Sequence, residues 1–324
     1  MKNILQKTKK LFQKKPKVIV VLGQTSTGKS DLAVEIAQKI NGEVISADSR
    51  QVYRGMDLGS GKITKVEMQG VPHHLLDVAD PQEIFSVKDF QDLGEKAIND
   101  ILARKKTPII CGGTGFYIDA LVYGMQFPEI SENNTLREEL LKKNIDELNE
   151  ILQEKIAQSA KKYQKQNQNF YAKMDKKNPV RLMRAITLMH ALGFIPKTKK
   201  EKKYRTLFIG LSIEKDLLKE RIYQRIIKRL EKGMLNEVRT LLARGVSHKR
   251  LQSFGLEYRF MSKHLLGEIS YDEMIEQLYR ATLQFAKRQN TWFKRNKEIH
   301  WFHPMKDKGE IFSLVKRFLG KKYK

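Results

Sequence analysis

Residues 18–40, VIVVLGQTSTGKSDLAVEIAQKI, constrain the fold of this chain more than any other stretch. An apolar run from Val18 to Leu22 meets Gly23-Gln24-Thr25-Ser26-Thr27-Gly28-Lys29-Ser30, and a helical pattern starts at once. This G-x-x-x-x-G-K-[ST] spacing, set between strand and helix, is that of a loop that wraps phosphate in its own backbone N–H groups. Gly23 and Gly28 tolerate backbone angles that a Cβ would strain, so successive N–H groups can turn inward on an anion. Lys29 adds a mobile cation, Ser30 a hydroxyl suited to Mg²⁺, and the helix N-terminus partial positive charge. Leu32, Ala33, Ile36, Ala37 and Ile40 recur at helical spacing and bury that helix against a sheet. The chain is expected to hold a di- or triphosphate group.

Three more β-rich segments, Glu43–Ala47, Thr107–Cys111 and Arg205–Leu211, join Lys17–Leu22. Helical stretches separate them, the alternation that gives a parallel sheet with crossover helices. Ligands of such sheets sit beyond the carboxyl ends of the strands. Three of those ends are polar or glycine-rich: the phosphate loop, Asp48-Ser49-Arg50-Gln51, and Gly112-Gly113-Thr114-Gly115.

From about Met125 to Lys203 the sequence becomes strongly charged, with Leu136, Leu140, Leu141, Leu148, Ile151 and Leu152 at helical spacing. Residues 161–169, KKYQKQNQN, read as a surface loop or frayed helix end. In the following NPVRLMRAITLMHALG, Pro179 is fit to open a helix and Gly193 to end it. The strand signal returns at Tyr204, so 125–203 is expected to be a helical insertion in an α/β domain made of 17–124 and 204–303. GMLNEVRTLLARG carries an apolar stripe of Leu235, Val238, Leu241 and Leu242, with Arg239 at its border. Residues 271–295 form another amphipathic helix whose end sets Lys287, Arg288, Lys294 and Arg295 around Trp292 and Phe293. Residues 1–16 read as a basic arm and 304–324 as a short basic tail.

Sixty-two Lys and Arg against 37 Asp and Glu leave a net charge of +25. Such an excess suits a polyanionic partner, nucleic acid or an acidic membrane surface, or else a Lys-rich composition that only solubilises. Cys111 is the single cysteine, which excludes an internal disulfide and suits a reducing compartment. No run approaches the ~18 apolar residues of a membrane span. The N-terminus has no apolar core or cleavage site for secretion, so a cytoplasmic protein is expected. His73 and His74 have no companion at metal-ligand spacing and read as packing or turn residues.

The motifs together resemble the tRNA dimethylallyltransferases, also called tRNA isopentenyltransferases, over nearly all of residues 17–303. The blocks that carry the resemblance are GQTSTGKS (23–30), ISADSRQVYRGMDLGSGK (45–62), PHHLLDVADP (72–81), GGTGFYIDAL (112–121), NPVRLMRA (178–185), EVR (237–239) and AKRQNTWF (286–293). A phosphate loop alone is shared with kinases, GTPases and helicases; ADSRQVYRGMD with AKRQNTWF is far more specific. The resemblance implies a P-loop NTPase-like parallel sheet core with an inserted helical domain and a helical C-terminal part. It implies transfer of the dimethylallyl group of dimethylallyl diphosphate to N6 of the adenosine 3′ of the anticodon, with Mg²⁺ and the anticodon stem-loop of tRNA as partners. The end of the chain lacks the zinc-finger extension of eukaryotic relatives, which favours the bacterial type, and a monomer is expected.

By the same resemblance Asp48 is the base that accepts a proton from adenine N6, and a positioned carboxylate suits so poor a nucleophile. Asp48 also suits a turn cap or a Mg²⁺ contact, and both remain open. Thr114 matches the threonine beside the departing diphosphate and Arg239 the arginine that reaches it. Gly23 to Ser30 hold the diphosphate, with Ser30 toward the metal. Asp48, Ser49, Arg50, Gln51 and Thr114 match the segment that meets the extruded base, which must leave the stack before it can be alkylated. Arg137 and the run Val180, Arg181, Leu182, Met183 and Arg184 match the RNA-facing part of the insertion. Lys287, Arg288, Gln289, Asn290, Thr291, Trp292, Phe293 and Lys294 mix cations, an amide and aromatics suited to phosphate contact and stacking.

Gln24 and Ser26 stand where the family usually has Pro and Ala, and Ser30 replaces the commoner Thr. In SFGLEYRFM (253–261), Gly255, Tyr258 and Arg259 stand near the place of a usual G-Y-[KR]-[EQ] block. Two other functions fit a phosphate loop: a nucleotide or small-molecule kinase, and an RNA-binding protein whose loop is a non-catalytic nucleotide site.

Overall fold

The computed structural model describes residues 15–128, 130, 134–197 and 201–320; residues 1–14 of the expected arm and 321–324 of the tail lie outside them. The chain divides into two compact units, one of residues 1–124 with 201–324 and one of residues 125–200.

In the first unit, β1 (Lys17–Gly23) leads through α1 (Lys29–Ile40) to β2 (Gly42–Ser46). A short α2 (Lys65–Met68), β3 (His73–His74), α3 (Val87–Ala103), β4 (Thr107–Gly112) and α4 (Gly115–Tyr123) follow. The second unit holds α5 (Asn134–Leu141), α6 (Ile145–Ala157), α7 (Lys161–Lys173) and α8 (Pro179–Leu192). The chain then returns with β5 (Arg205–Leu211), α9 (Lys215–Glu231), α10 (Met234–Ala243), α11 (His248–Phe254) and α12 (Leu256–Leu265). It ends with α13 (Tyr271–Phe293), β6 (Ile299–Phe302) and α14 (Lys308–Leu319).

The sheet has six strands in the order β3-β2-β4-β1-β5-β6, and every neighbouring pair is parallel. Its central strands are buried on both faces, which is why they read as continuous Val/Ile runs rather than alternating ones. On one face Ile19, Val21 and Ile109 pack against Leu32 and Ile36 of α1. On the other, Val18, Val20 and Ile110 meet Phe90 and Ile98 of α3 and Leu121 of α4. A separate core joins α9 to α13 around Tyr53 and Met56.

The four strands read from sequence are present, and the structure adds β3 and β6. Both are short edge strands with mixed composition, too brief for periodicity to reveal. The tail after Pro304 is not a featureless basic stretch. Ile311 and Val315, one turn apart, are fully buried on the β1 face. At the amino end of β2, the buried carboxylate of Glu43 is held by Arg104, by Lys106 at 2.8 Å and by His74 Nε2 at 2.8 Å. The Arg104 hydrogen bonds, with those of Lys106 and His74, pull its pKa down to about 2. His73 Nδ1 lies 2.9 Å from the Val71 carbonyl oxygen.

In the second unit Leu148, Leu152 and Ile156 of α6 pack on Leu182, Ala185, Ile186 and Met189 of α8. Asn178 caps α8 by accepting from Arg181 N, Pro179 opens it and Gly193 closes it in the left-handed region. Leu141, at the end of α5, is exposed rather than in the core. The segment KKYQKQNQN is a full helix, α7, and corrects the reading as a loop. Tertiary contacts hold it: buried Asn167 donates to Ser159 Oγ at 3.1 Å and accepts from Ile195 N at 3.0 Å, and Tyr163 stacks on Phe194. A polar residue that keeps its hydrogen bonds costs little to bury, and hydropathy cannot register that. Among the described residues no helix is long and apolar enough to cross a membrane.

Candidate active site

The carboxyl ends of β1, β2 and β4 open onto one cavity of about 590 Å³ within the first unit. Its walls come from the loop after β1 (Thr25, Lys29, Ser30), the turn after β2 (Asp48 to Gln51) and the end of β4 (Cys111 to Thr114). The opposite walls come from Gly59 to Gly61, Arg225 of α9, the α11–α12 junction and α13.

The loop after β1 has the expected geometry. Gly23 adopts φ +148°, and a Cβ there would lie 2.5 Å from the Leu211 carbonyl oxygen of β5, so only glycine fits. Gly28 at φ +84° sits just before α1, and Ser26 between them at φ +62°. Thr27 is fully buried and donates its hydroxyl to the Gln24 carbonyl at 2.8 Å. The Ser26 hydroxyl is buried with no hydrogen-bond partner among the described residues. Lys29 donates to the same Gln24 carbonyl. Burial, aided by the nearby Arg225 charge, lowers its pKa to about 8, while Asp48 acts the other way.

Asp48 Oδ1 accepts from Arg50 N at 2.8 Å and Gln51 N at 3.3 Å. The carboxylate thus caps its own turn with one oxygen while lining the cavity. Thr114 Oγ1 accepts from Ser49 N at 3.2 Å, which leaves its hydroxyl proton to be donated elsewhere. Arg50 is tied to the Phe254 carbonyl through Nε at 2.7 Å and lies over the Phe254 ring. The Gln51 amide is engaged at both ends, by Ser46 Oγ at 3.0 Å and the Gly61 carbonyl at 3.1 Å. Gln51 therefore frames the cavity, with one hydrogen bond at each end of its amide.

Arg239 does not line this cavity: Met234, Val238 and Leu241 form the buried face of α10 and leave it exposed. The arginine that reaches the loop is Arg225, whose Nη1 donates to Thr25 Oγ1 at 3.0 Å. Burial depresses the pKa of Arg225 and brings that of the neighbouring Arg229 down to about 9. Glu257 is ion-paired with Arg229 at 3.6 Å. Sequence offered a signal for this pair. Like charges at i and i+4 repel on a helix, so two arginines beside the buried Ile222 and Ile226 suggest an anion or a carboxylate nearby.

The working residue of the EVR block toward the cavity is Glu237. Its carboxylate accepts from the backbone N of Asp57 at 2.8 Å, Leu58 at 2.6 Å and Gly59 at 3.0 Å, and from the Tyr258 hydroxyl at 2.9 Å. It thereby fixes the Gly59–Gly61 wall. Gly255, Tyr258 and Arg259 all line the cavity, and burial pushes the Tyr258 phenol well above its usual pKa.

The RNA-facing residues read from sequence separate by burial. Lys287, Arg288, Thr291 and Lys294 are exposed on or just after α13, and Asn290 and Trp292 are half-buried. Gln289 and Phe293 are buried, the first among polar partners and the second in the sheet core. In the second unit Arg137, Val180, Arg181 and Arg184 are exposed. Leu182 is fully buried in the core of that unit and has no side chain free for RNA, while Met183 is half-buried against that core. No cluster of His, Cys, Asp and Glu suited to a metal occurs among the described residues. A cation here would rest on Ser30, which lines the cavity, and on oxygens of the bound substrate.

The family model for IPP transferase matches residues 51–296. The tRNA dimethylallyltransferase 2 of Shewanella sediminis is 40% identical over 300 residues, covering 91% of this chain and 95% of that protein. The chain belongs to the IPP transferase family. A tRNA dimethylallyltransferase 2 of Treponema denticola is 41% identical over 87% of this chain and 94% of its own length. Among solved structures, the tRNA isopentenylpyrophosphate transferase of Bacillus halodurans superposes with a TM-score of 0.70 at 34% identity, over 95% of this chain and 97% of that one. A eukaryotic dimethylallyltransferase captured acting on tRNA superposes with a TM-score of 0.78 at 25% identity, over 95% and 81%. IPP transferase membership and the parallel-sheet core thus agree, and the cavity lies where such a sheet carries its ligand.

Proposed function

We propose that this IPP transferase moves the dimethylallyl group of dimethylallyl diphosphate to N6 of the adenosine 3′ of the anticodon in tRNA and releases diphosphate. The observation that carries the reading is the convergence of Lys29, Arg225, Thr114 and Asp48 on one cavity. The loop recognises a diphosphate and not a base, so it suits a prenyl diphosphate as well as a nucleotide. Lys29 and Arg225 are desolvated cations that line the cavity. These features favour the charge that builds on the diphosphate as the allylic C–O bond breaks. Thr114 donates its free hydroxyl proton toward the same leaving group. Asp48 accepts the proton that N6 loses as the new C–N bond forms. Ser30 would hold Mg²⁺, which neutralises diphosphate charge.

Exposed Lys287, Arg288 and Lys294 supply phosphate contacts, and in the second unit Arg137, Arg181 and Arg184 do the same. We place the enzyme in the cytoplasm as a monomer, in keeping with its buried unpaired thiol Cys111. The kinase reading of the loop gains no support from the family match.

The test is incubation with Mg²⁺, ATP, labelled dimethylallyl diphosphate and an anticodon stem-loop carrying adenosine at that position. Label is expected in the RNA. ATP hydrolysis without RNA labelling would instead make the protein a kinase-like enzyme, and RNA binding with no turnover would leave only a binding module.

A further inference from the structure

We propose that Gln289 is a positioning residue, not an RNA contact: its amide holds the donor loop at a fixed distance from the turn that carries Thr114. The inference rests on the donor site assigned above. β1 and β4 are paired as far as Leu22 and Gly112, and beyond that register the two chains separate to make the cavity. The Gln289 side chain spans the gap. Its Oε1 accepts from Thr25 N at 2.8 Å and its Nε2 donates to the Gly113 carbonyl at 3.0 Å. The residue is 6% exposed, and both ends of the amide are engaged on protein backbone.

Two further observations point the same way. Gln24, the residue before Thr25, donates its own amide to the Ala286 carbonyl at 3.1 Å, so consecutive loop residues are fastened to one helix. The glycines of the Gly112–Gly115 turn make room for that helix. A Cβ on Gly113 would lie 2.2 Å from Gln289 Nε2, and one on Gly115 2.2 Å from Trp292 Cδ1. Neither glycine has a left-handed φ, so space rather than backbone conformation requires them. Gln289 and Trp292 lie three residues apart on one face of α13 and enter the turn side by side. The exposed cations next to them on α13 are the groups available to RNA.

The consequence is kinetic. A displacement of about 1 Å between reacting groups costs on the order of 10²-fold in rate, so loosening the latch acts on the donor and on kcat rather than on RNA affinity. Four variants, Gln289→Leu, Gln289→Ala, Gly113→Ala and the double Gln289→Ala/Gly113→Ala, are assayed for kcat, KM for dimethylallyl diphosphate and Kd for the anticodon stem-loop. Gln289→Leu should lower kcat/KM for the donor by about tenfold or more, with RNA Kd within about twofold of wild type. Gly113→Ala should cost a similar factor alone and almost nothing in the Gln289→Ala background, because the Cβ then has nothing to strike. Full additivity of the two changes, or an RNA Kd that rises in step with the donor KM, overturns the proposal.

Should the buried variants fold poorly, Gln24→Ala replaces a half-buried side chain and is expected to raise donor KM by about threefold with RNA Kd unchanged. Unchanged donor KM in that variant counts against the latch. Inorganic diphosphate separates this inference from the proposed activity. It should raise the melting midpoint of wild type and do so less in Gln289→Leu, whether or not RNA is prenylated. Equal protection of both proteins removes Gln289 from the positioning role, while absence of RNA labelling with unequal protection removes only the activity.

Discussion

The chain has two glycine-rich turns at the carboxyl ends of adjacent parallel strands, and they are built on opposite principles. In the loop after β1, Gly23 and Gly28 have positive φ, and the cations Lys29 and Arg225 stand around it. Both glycines have a φ that a Cβ would strain, and at Gly23 the Leu211 carbonyl also leaves no room for one, whereas Gly28 is needed for conformation alone. In the turn after β4, Gly113 and Gly115 have ordinary φ, and the space left by their missing side chains is filled by Gln289 and Trp292. That turn is shaped by the protein's own helix. A glycine-rich signature therefore does not by itself mark a phosphate site. The sign of φ and the identity of the filling atoms distinguish the two.

Asp48, which caps the turn after the neighbouring strand β2, is the point where the chemistry of these turns meets. Asp48→Asn keeps a side-chain oxygen for the turn and removes the base. Transfer should fall by about 10²–10⁴-fold while RNA Kd holds, measured by single-turnover labelling. Near-wild-type transfer would remove Asp48 from the proton step.

The next effect tests which cation serves the first turn. Arg225→Ala should lower donor kcat/KM by about 10²-fold, the scale of losing one group that stabilises developing charge. Arg239→Ala should stay within about threefold, as expected of a surface position. The reverse order in a steady-state assay would return the role to the α10 residue.

The glycines themselves sharpen the contrast. Gly28→Ala should cost roughly 1–2 kcal/mol in thermal unfolding because its φ is left-handed, and no partner mutation should relieve it. Gly115→Ala should cost roughly 1–3 kcal/mol by overpacking in the wild-type background, and much less when it is added to Trp292→Ala. Recovery in both cases, or in neither, would erase the distinction.

The smallest effect is in pH. Burial holds Lys29 near 8, so below that pH the ammonium is present to meet diphosphate and above it the charge is lost. Donor KM should be flat below about pH 7.5 and rise through pH 8 by up to about tenfold per unit, and Lys29→Arg should abolish the break because a guanidinium stays charged. An identical break in that variant would assign the titration elsewhere.

Much of the fold was legible from local signals. The four central strands announced themselves because burial on both faces demands unbroken apolar runs, and Pro179 and Gly193 marked α8 by the chemistry of helix ends. The convergence of three strand ends on one cavity followed from parallel topology. Two elements escaped because their stability is tertiary. α7 is polar in composition and rests on the Asn167 hydrogen bonds, and α14 hides two buried residues in a basic tail.

Side-chain roles divide along the same line. Residue type and spacing determined the anion loop, the carboxylate after β2 and the helices rich in cations, since each depends on groups close together in the chain. Which arginine reaches the loop, which glutamine is buried in the frame and which leucine is lost to a core depended on elements up to 264 residues apart, as between Thr25 and Gln289. Sequence periodicity gives the face of a helix but not what packs against that face. Only the packed chain decided that Arg225 points into the cavity and Arg239 away from it.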